Sequence, residues 1–358
     1  MRTELLKDVR RLVVKLGTGV LTDGGKQPDP AQMGQLVAQF AALRQAGREI
    51  VLVTSGAVGA GMGVLGYEKR PAETCEQQAC AAVGQSRLMT IYEKLFSEFG
   101  LHVAQVLVTH DDLQDKERHR NARNTLLTLL KRGVVPIINE NDAVSITELK
   151  FGDNDKLSAL VAALLPADLL VILTTVDGVI EHFGKPHART LASVAVIDKT
   201  LEGMAGGTDS ATAVGGMKSK IAAARITVRS GIPLVIASGR KKNVLAQILA
   251  GAEEGTLFVP QLGQLRGHKR WIAFFHHAKG KVCVDAGAKE ALVSRGRSLL
   301  PPGVVRCEGE FGVGDVVSIC DEDGGEFARG LAGFSAAELQ ARLQSRDEVV
   351  HRDNLVIL

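Results

Sequence analysis

A chain of 358 residues exceeds the usual single-domain length, so two domains are expected, and its 45% apolar and 23% charged residues fit a globular protein with a sizeable core. A net charge of +3 is too small to argue for nucleic acid or membrane partners. No apolar run approaches the ~20 residues of a membrane span and the N-terminus carries no signal-peptide core, which makes the cytoplasm the expected location.

In chain order, Arg11 to Gly17 is a short apolar strand ending in Lys-x-Gly-Thr-Gly. Asp29 is placed to cap a helix with Pro30 in its first turn, and Gly47 to end it. Glu49 to Thr54 predicts a second buried strand, running into Ser55-Gly56-Ala57-Val58-Gly59-Ala60-Gly61, and one long helical pattern then reaches Phe99 and stops at Gly100. His102 to Val108, Val134 to Ile138, Leu169 to Leu173 and Leu234 to Ala237 predict four more strands; Asn121 to Arg132 and Met217 to Ser230 predict helices. Continuous apolar strands alternating with helices imply an α/β protein, a three-layer helix/sheet/helix sandwich around a mainly parallel sheet. From Gly280 the segments become short and β-rich (Lys281–Asp285, Val304–Glu308, Asp315–Cys320, Phe327–Leu331, Leu355–Leu358), with one amphipathic helix from Ala336 to Leu343. A small second domain is expected there. The five cysteines (Cys75, Cys80, Cys283, Cys307, Cys320) are scattered and odd in number, against a disulfide framework, and Cys75 and Cys80 lack a matching second pair for zinc.

The densest polar stretch is Asn139 to Asp155, five acidic residues and three asparagines directly after the apolar strand Val134 to Ile138. Asp155 precedes Leu157, Leu160, Val161, Leu164 and Leu165, the spacing of an amphipathic helix, and reads as its N-cap. A polar cluster between a buried strand and a helix N-terminus is where α/β proteins bind ligands. There is no Gly-x-x-x-x-Gly-Lys-Ser/Thr phosphate loop, no Gly-x-Ser-x-Gly elbow and no His-Glu-x-x-His. A Gly-x-Gly-x-x-Gly match at Gly61, Gly63 and Gly66 lies seven residues past its strand, too far to be the phosphate turn. What remains are strand-end glycines and lysines: Lys15 with Gly17-Thr18-Gly19, Ser55-Gly56 with Gly59, and Gly215-Gly216-Met217-Lys218-Ser219-Lys220 opening a late helix. Glycines admit an anion close to backbone N–H groups and lysines supply positive charge, so together these describe a phosphate-handling site without a Walker sequence.

VVKLGTGVL, VTSGAVGAG, AAVGQSRL, PIINENDAV, GDNDKLSAL and GGMKSK, in this order and spacing, resemble the amino acid kinase family, and the tail resembles the PUA domain that follows many of its members. The likeness covers nearly the whole chain and implies a kinase domain over 1–270 and a PUA-like domain over 279–358. The text around the acidic cluster is similar to the branch that phosphorylates the γ-carboxylate of glutamate at the start of proline biosynthesis. The resemblance implies ATP as the donor, magnesium bound mainly through the nucleotide with no metal site of the protein's own, a homo-oligomer, and proline as a feedback ligand. By the same resemblance Lys15 and Lys220 contact the phosphates and the transferred group, with Asp155 between them. Ser55, Gly56, Asp142 and Asn154 match glutamate-binding positions, with Asn139 and Asp153 adjacent. Lys15, Gly17, Thr174, Thr175, Val214, Gly215, Gly216, Met217, Lys218, Ser219 and Lys220 match ATP-binding segments. Two departures fall on the nucleotide side: the family usually has Thr-Asp at Thr174-Thr175, and Thr-Gly-Gly-Met at Val214 to Met217.

Two other function classes are weighed against this one. An RNA-binding or regulatory protein on a kinase-like scaffold is argued against by the tail, which from Lys279 onward has 10 Lys+Arg against 13 Asp+Glu, a net of −3, and no Tyr or Trp to stack on bases. A sibling kinase acting on another acidic substrate is the third.

Overall fold

The computed structural model describes residues 2–22, 27–145, 154–182, 184, 186–204, 216–260, 267–275, 278–341 and 347–358. The chain divides into two compact units, Met1–Gln264 and Leu265–Leu358.

Among the described residues the first unit has ten strands: β1 Arg11–Leu16, β2 Glu49–Val53, β3 Val103–Val108, β4 Val135–Glu140, β5 Leu169–Thr174, β6 Ile180–Glu181, β7 Arg189–Thr190, β8 Ser193–Val194, β9 Leu234–Ser238 and β10 Thr256–Phe258. Eight of them form one sheet in the order β3-β4-β2-β1-β5-β9-β10-β8, and β6 and β7 make a separate hairpin. From β3 across to β9 every pairing is parallel, with Leu12 opposite both Ile50 and Leu169. β10 runs antiparallel to β9 at the far side. The central strands are apolar through their middle because helices cover both faces; Leu12, Val13, Val14, Ile50, Leu52, Ile137 and Val171 are all buried. Sequence analysis did not anticipate β8 or β10, whose three residues or fewer are too short to show a period.

Helix Pro30–Gln45 starts where expected: the Asp29 carboxylate accepts from the backbone N–H groups of Ala31 and Gln32, both at 3.1 Å, and Gly47 ends the segment at φ +81°. The single long pattern predicted to reach Phe99 is two helices, Ala57–Leu65 and Thr74–Ser97. Gly66 separates them at φ +76°, its N–H closing on Met62 O. The two helices touch backbone to backbone, since a Cβ on Gly61 would collide with the Cys80 carbonyl and one on Gly84 with the Ala57 carbonyl. Gly61 is thus a packing glycine and Gly66 a helix stop, which accounts for the glycine motif without a nucleotide.

The second unit has a five-stranded sheet, β12-β11-β13-β14-β15, from β11 Gly280–Val284, β12 Val304–Gly309, β13 Val316–Cys320, β14 Glu326–Leu331 and β15 Leu355–Ile357. Only the β11–β13 pairing is parallel. Val282, Val284, Leu292, Phe311, Val317 and Ile319 form its core. Ile272 and Ala273 of the segment Trp271–Phe275 pack with Val316 and Val356. Besides the expected helix, seen as Ala336–Gln340, the unit has a helix Ala286–Arg295 capped by Asp285. That helix escaped sequence analysis because Leu292 is its one fully buried residue. No helix among the described residues is long and apolar enough to cross a membrane.

Candidate active site

Because β1, β2, β4 and β5 run parallel, their C-terminal ends open on the same edge of the sheet, and each delivers a polar residue there. β1 carries Lys15 between Val53 of β2 and Ile172 of β5. β2 continues into Thr54 and Ser55, β4 ends in Asn139 and Glu140, and β5 ends in Thr174. Lys15, Ser55, Asn139, Asp142, Asn154, Asp155 and Lys220 are all buried, an unusual concentration of polar side chains away from water.

Asp155 is the centre. It stands in the first turn of helix Asn154–Leu164 rather than at the N-cap position predicted for it, and its carboxylate turns to two lysines instead of to its own backbone. Oδ1 lies 2.8 Å from Lys15 Nζ and Oδ2 lies 3.0 Å from Lys220 Nζ. Ser219 Oγ also donates to Oδ2, at 2.9 Å. Burial by itself pushes the Asp155 carboxyl upward, but the two ammonium groups outweigh it and hold the carboxyl below its ordinary value. The carboxylate therefore stays ionised at neutral pH and fixes both lysine heads.

Asn154, the preceding residue, reaches the other way. Its Nδ2 lies 3.0 Å from each of Thr54 O, Ser55 Oγ and Asn139 Oδ1, so one amide ties the end of β2 to the end of β4. Asn139 Nδ2 in turn donates to Gln85 Oε1 at 2.9 Å. Asp142 lies two residues past β4, on a turn closed by the N–H groups of Val144 and Ser145 on Asn141 O. Glu140 accepts from Ser145 Oγ at 2.8 Å and faces His110 Nδ1 at 3.3 Å. Thr54 is held from behind by Tyr92, their hydroxyl oxygens 2.9 Å apart.

The glycines make room. Gly17 donates its N–H to Leu173 O, and a Cβ there would lie 3.6 Å from Lys15 Nζ, so its main chain borders the lysine head. Gly56 sits at φ +98°, a conformation that suits glycine, at the N-terminus of helix Ala57–Leu65. Thr174 is half-buried and Thr175 exposed; Thr175 Cγ2 would stand 2.9 Å from a Cβ on Gly19. Gly216 precedes helix Met217–Arg229, in which Met217 and Ser219 are half-buried and Lys218 is exposed. Asp153, Val214 and Gly215 lie outside the described residues. Gln85 and Glu140 were not singled out from the sequence. A glutamine on the buried side of a helix, and a glutamate inside a strand end, were the available signals.

The sequence profile described as the amino acid kinase family matches residues 10–238, and that of the PUA domain matches 280–352. The chain belongs to the amino acid kinase family. Among curated relatives of this kinase, the Glutamate 5-kinase of Geobacter sulfurreducens is 47% identical, with 100% of both chains covered. That of Moorella thermoacetica is 46% identical, covering 99% of this chain and 97% of its own, and that of Ralstonia nicotianae 48% identical, covering 99% of each. In the solved structures, a carbamate kinase from Giardia lamblia bound to AMP-PNP matches with a TM-score of 0.52 at 17% identity, covering 71% of this chain and 99% of that one. That likeness supports the kinase fold of the first unit.

Proposed function

We propose that this chain transfers the γ-phosphate of ATP to the γ-carboxylate of L-glutamate, giving L-glutamyl 5-phosphate, the first step of proline biosynthesis. The observation that carries the site reading is the adjacency of Asn154 and Asp155: consecutive residues on one helix turn, one holding two lysines, the other joining the ends of β2 and β4. A phosphoryl-transfer centre and an acceptor pocket are thereby coupled through one peptide bond. The full-length likeness to several glutamate 5-kinases supports glutamate as the acid.

The chemistry asks little covalent work of the protein. A γ-carboxylate is already anionic at pH 7, so no general base is needed; two anions must be brought into line and their charge neutralised. Lys15 and Lys220 supply that charge on opposite sides of Asp155, which fixes them before substrate arrives, as electrostatic preorganisation requires. Asp142 takes the substrate ammonium, while Ser55, Gly56, Asn139 and Asn154 hold the carboxylate end. Gly17, Thr174, Thr175 and the segment from Gly216 to Lys220 line the nucleotide side. The buried lysine heads beside the open main chain of Gly17 suit the phosphates of ATP. A magnesium ion held mainly by the nucleotide phosphates would neutralise their charge there.

The test is ATP-dependent hydroxamate formation with glutamate, aspartate, acetylglutamate and carbamate. Glutamate should be preferred over each of the others; preference for any other acid overturns the assignment.

A further inference from the structure

The amide chain at the strand ends has a direction. Thr54 O is a backbone carbonyl and can only accept, so the Asn154 atom 3.0 Å from it must be the N–H2 group. That group also reaches Asn139, which must therefore present its oxygen and is left with its own N–H2 for the next neighbour. The next neighbour is Gln85, which accepts through Oε1. The polarity is handed on twice, and Gln85 Nε2 is left as a buried donor for which the described residues provide no acceptor. Buried amide donors are almost always satisfied, and an exception asks for a ligand or a cause. Gln85 is not loosely placed. Its neighbour Gly84 packs against the backbone of Ala57, one residue after Gly56, so the helix is locked onto the end of β2.

We propose that Gln85 is a substrate-binding residue whose Nε2 donates to the α-carboxylate of the amino-acid substrate. The assignment rests on the glutamate reading above. Two features select the α-carboxylate. The γ-carboxylate must meet Lys15 and Lys220 at Asp155, and the amide chain starts beside Asp155 and ends, two hydrogen bonds further, at Gln85. An N–H2 group also matches a carboxylate oxygen in charge, and would discriminate against a substrate carrying an amide there.

Gln85→Glu tests this with little disturbance, since it keeps an oxygen for Asn139 Nδ2 and replaces only the outward donor by a second oxygen. Steady-state kinetics should show KM for glutamate raised at least ~10-fold, the scale of losing a hydrogen bond to a charged group, with KM for ATP within about threefold. The α-amide of glutamate should be used relatively better by the variant than by the parent, because its N–H2 can face the new carboxylate. Gln85→Met serves where Gln85→Glu does not fold: it removes the donor without adding charge, and should again raise KM for glutamate and not for ATP. A folded variant whose KM for glutamate stays within about twofold of the parent overturns the role of Gln85. A parent that forms no hydroxamate from glutamate overturns the glutamate reading, and this assignment with it.

Discussion

Lys15 and Lys220 come from opposite ends of the first unit, one from its first strand and one from its last long helix, yet each sets its ammonium on a different oxygen of Asp155. Neither lysine could be kept buried and charged alone; the shared carboxylate is what keeps both in place. Replacing Lys15 or Lys220 with Ala should lower kcat by at least ~10²-fold, the usual cost of losing one preorganised charge-stabilising group. Near-parental turnover in either variant, measured by product formation at saturating ATP and glutamate, would remove the transfer site from Asp155.

Asp155 also links this centre to acid stability. Its carboxyl titrates below the ordinary value in the folded chain, while in the unfolded chain it returns to about 3.9. A depressed folded value contributes stability that is present above the unfolded value and is lost as pH falls through the folded one. Melting curves between pH 7 and about 3 should therefore show the parent losing stability more steeply in acid than Asp155→Asn, which has nothing to protonate at that position. Parallel curves would mean that the ion pairs do not contribute.

Asp142 should choose the substrate. Truncating one member of a buried charge pair costs ~2–5 kcal/mol, so Asp142→Ala should raise KM for glutamate by more than about tenfold and leave KM for ATP within a few-fold. Acetylglutamate, which has no ammonium group, should be a poor substrate for the parent. Equal effects on both substrates would take Asp142 out of the glutamate pocket.

The helix contact behind the pocket is equally open to test. Gly84→Ala would drive a methyl group into the Ala57 carbonyl, and backbone cannot step aside as a side chain can. Thermal or urea unfolding should show a loss of ~1–3 kcal/mol, the usual range for an overpacked core. An unchanged midpoint would show that the two helices have slack.

Each unit has its own core, and Ile272 and Ala273 belong to that of the second. A chain ending at Gln264 should consequently fold, as read by circular dichroism, and still form hydroxamate from glutamate. A folded truncation without activity would place essential residues beyond Gln264.

How much of this was legible in the sequence follows from where the physical signal lies. Five of the six parallel strands, all but the part-exposed edge strand β3, are visible because burial on both faces demands unbroken apolar runs such as Leu12-Val13-Val14 and Leu169 to Leu173. Helix boundaries marked by a side-chain cap, as at Asp29, are visible too. The break at Gly66 has signals of its own, Gly66 and Pro71, but the helical texture before Gly66 and after Glu73 outweighs them. Lys15, Asp155 and Lys220 could be picked out through their motifs and the family resemblance, and the geometry then joins them. Gln85 could not, because what singles it out is which of its two amide atoms is left over, and that depends on a chain of bonds anchored at a carbonyl 31 residues away.

The place of β1 in the sheet has a consequence for how the protein is made. β1 pairs with β2 on one side, but its other side waits for β5, whose residues begin at Leu169. A ribosome adding roughly 5–20 residues per second leaves the interval between Val53 and Thr174 open for on the order of 6–24 s. Throughout that time the edge of a strand that is apolar from Leu12 to Val14 has no partner, which is the kind of surface that recruits strands from neighbouring nascent chains. Expression yield should thus depend on translation rate and chaperone supply across codons 54 to 174 more than on anything in the finished fold.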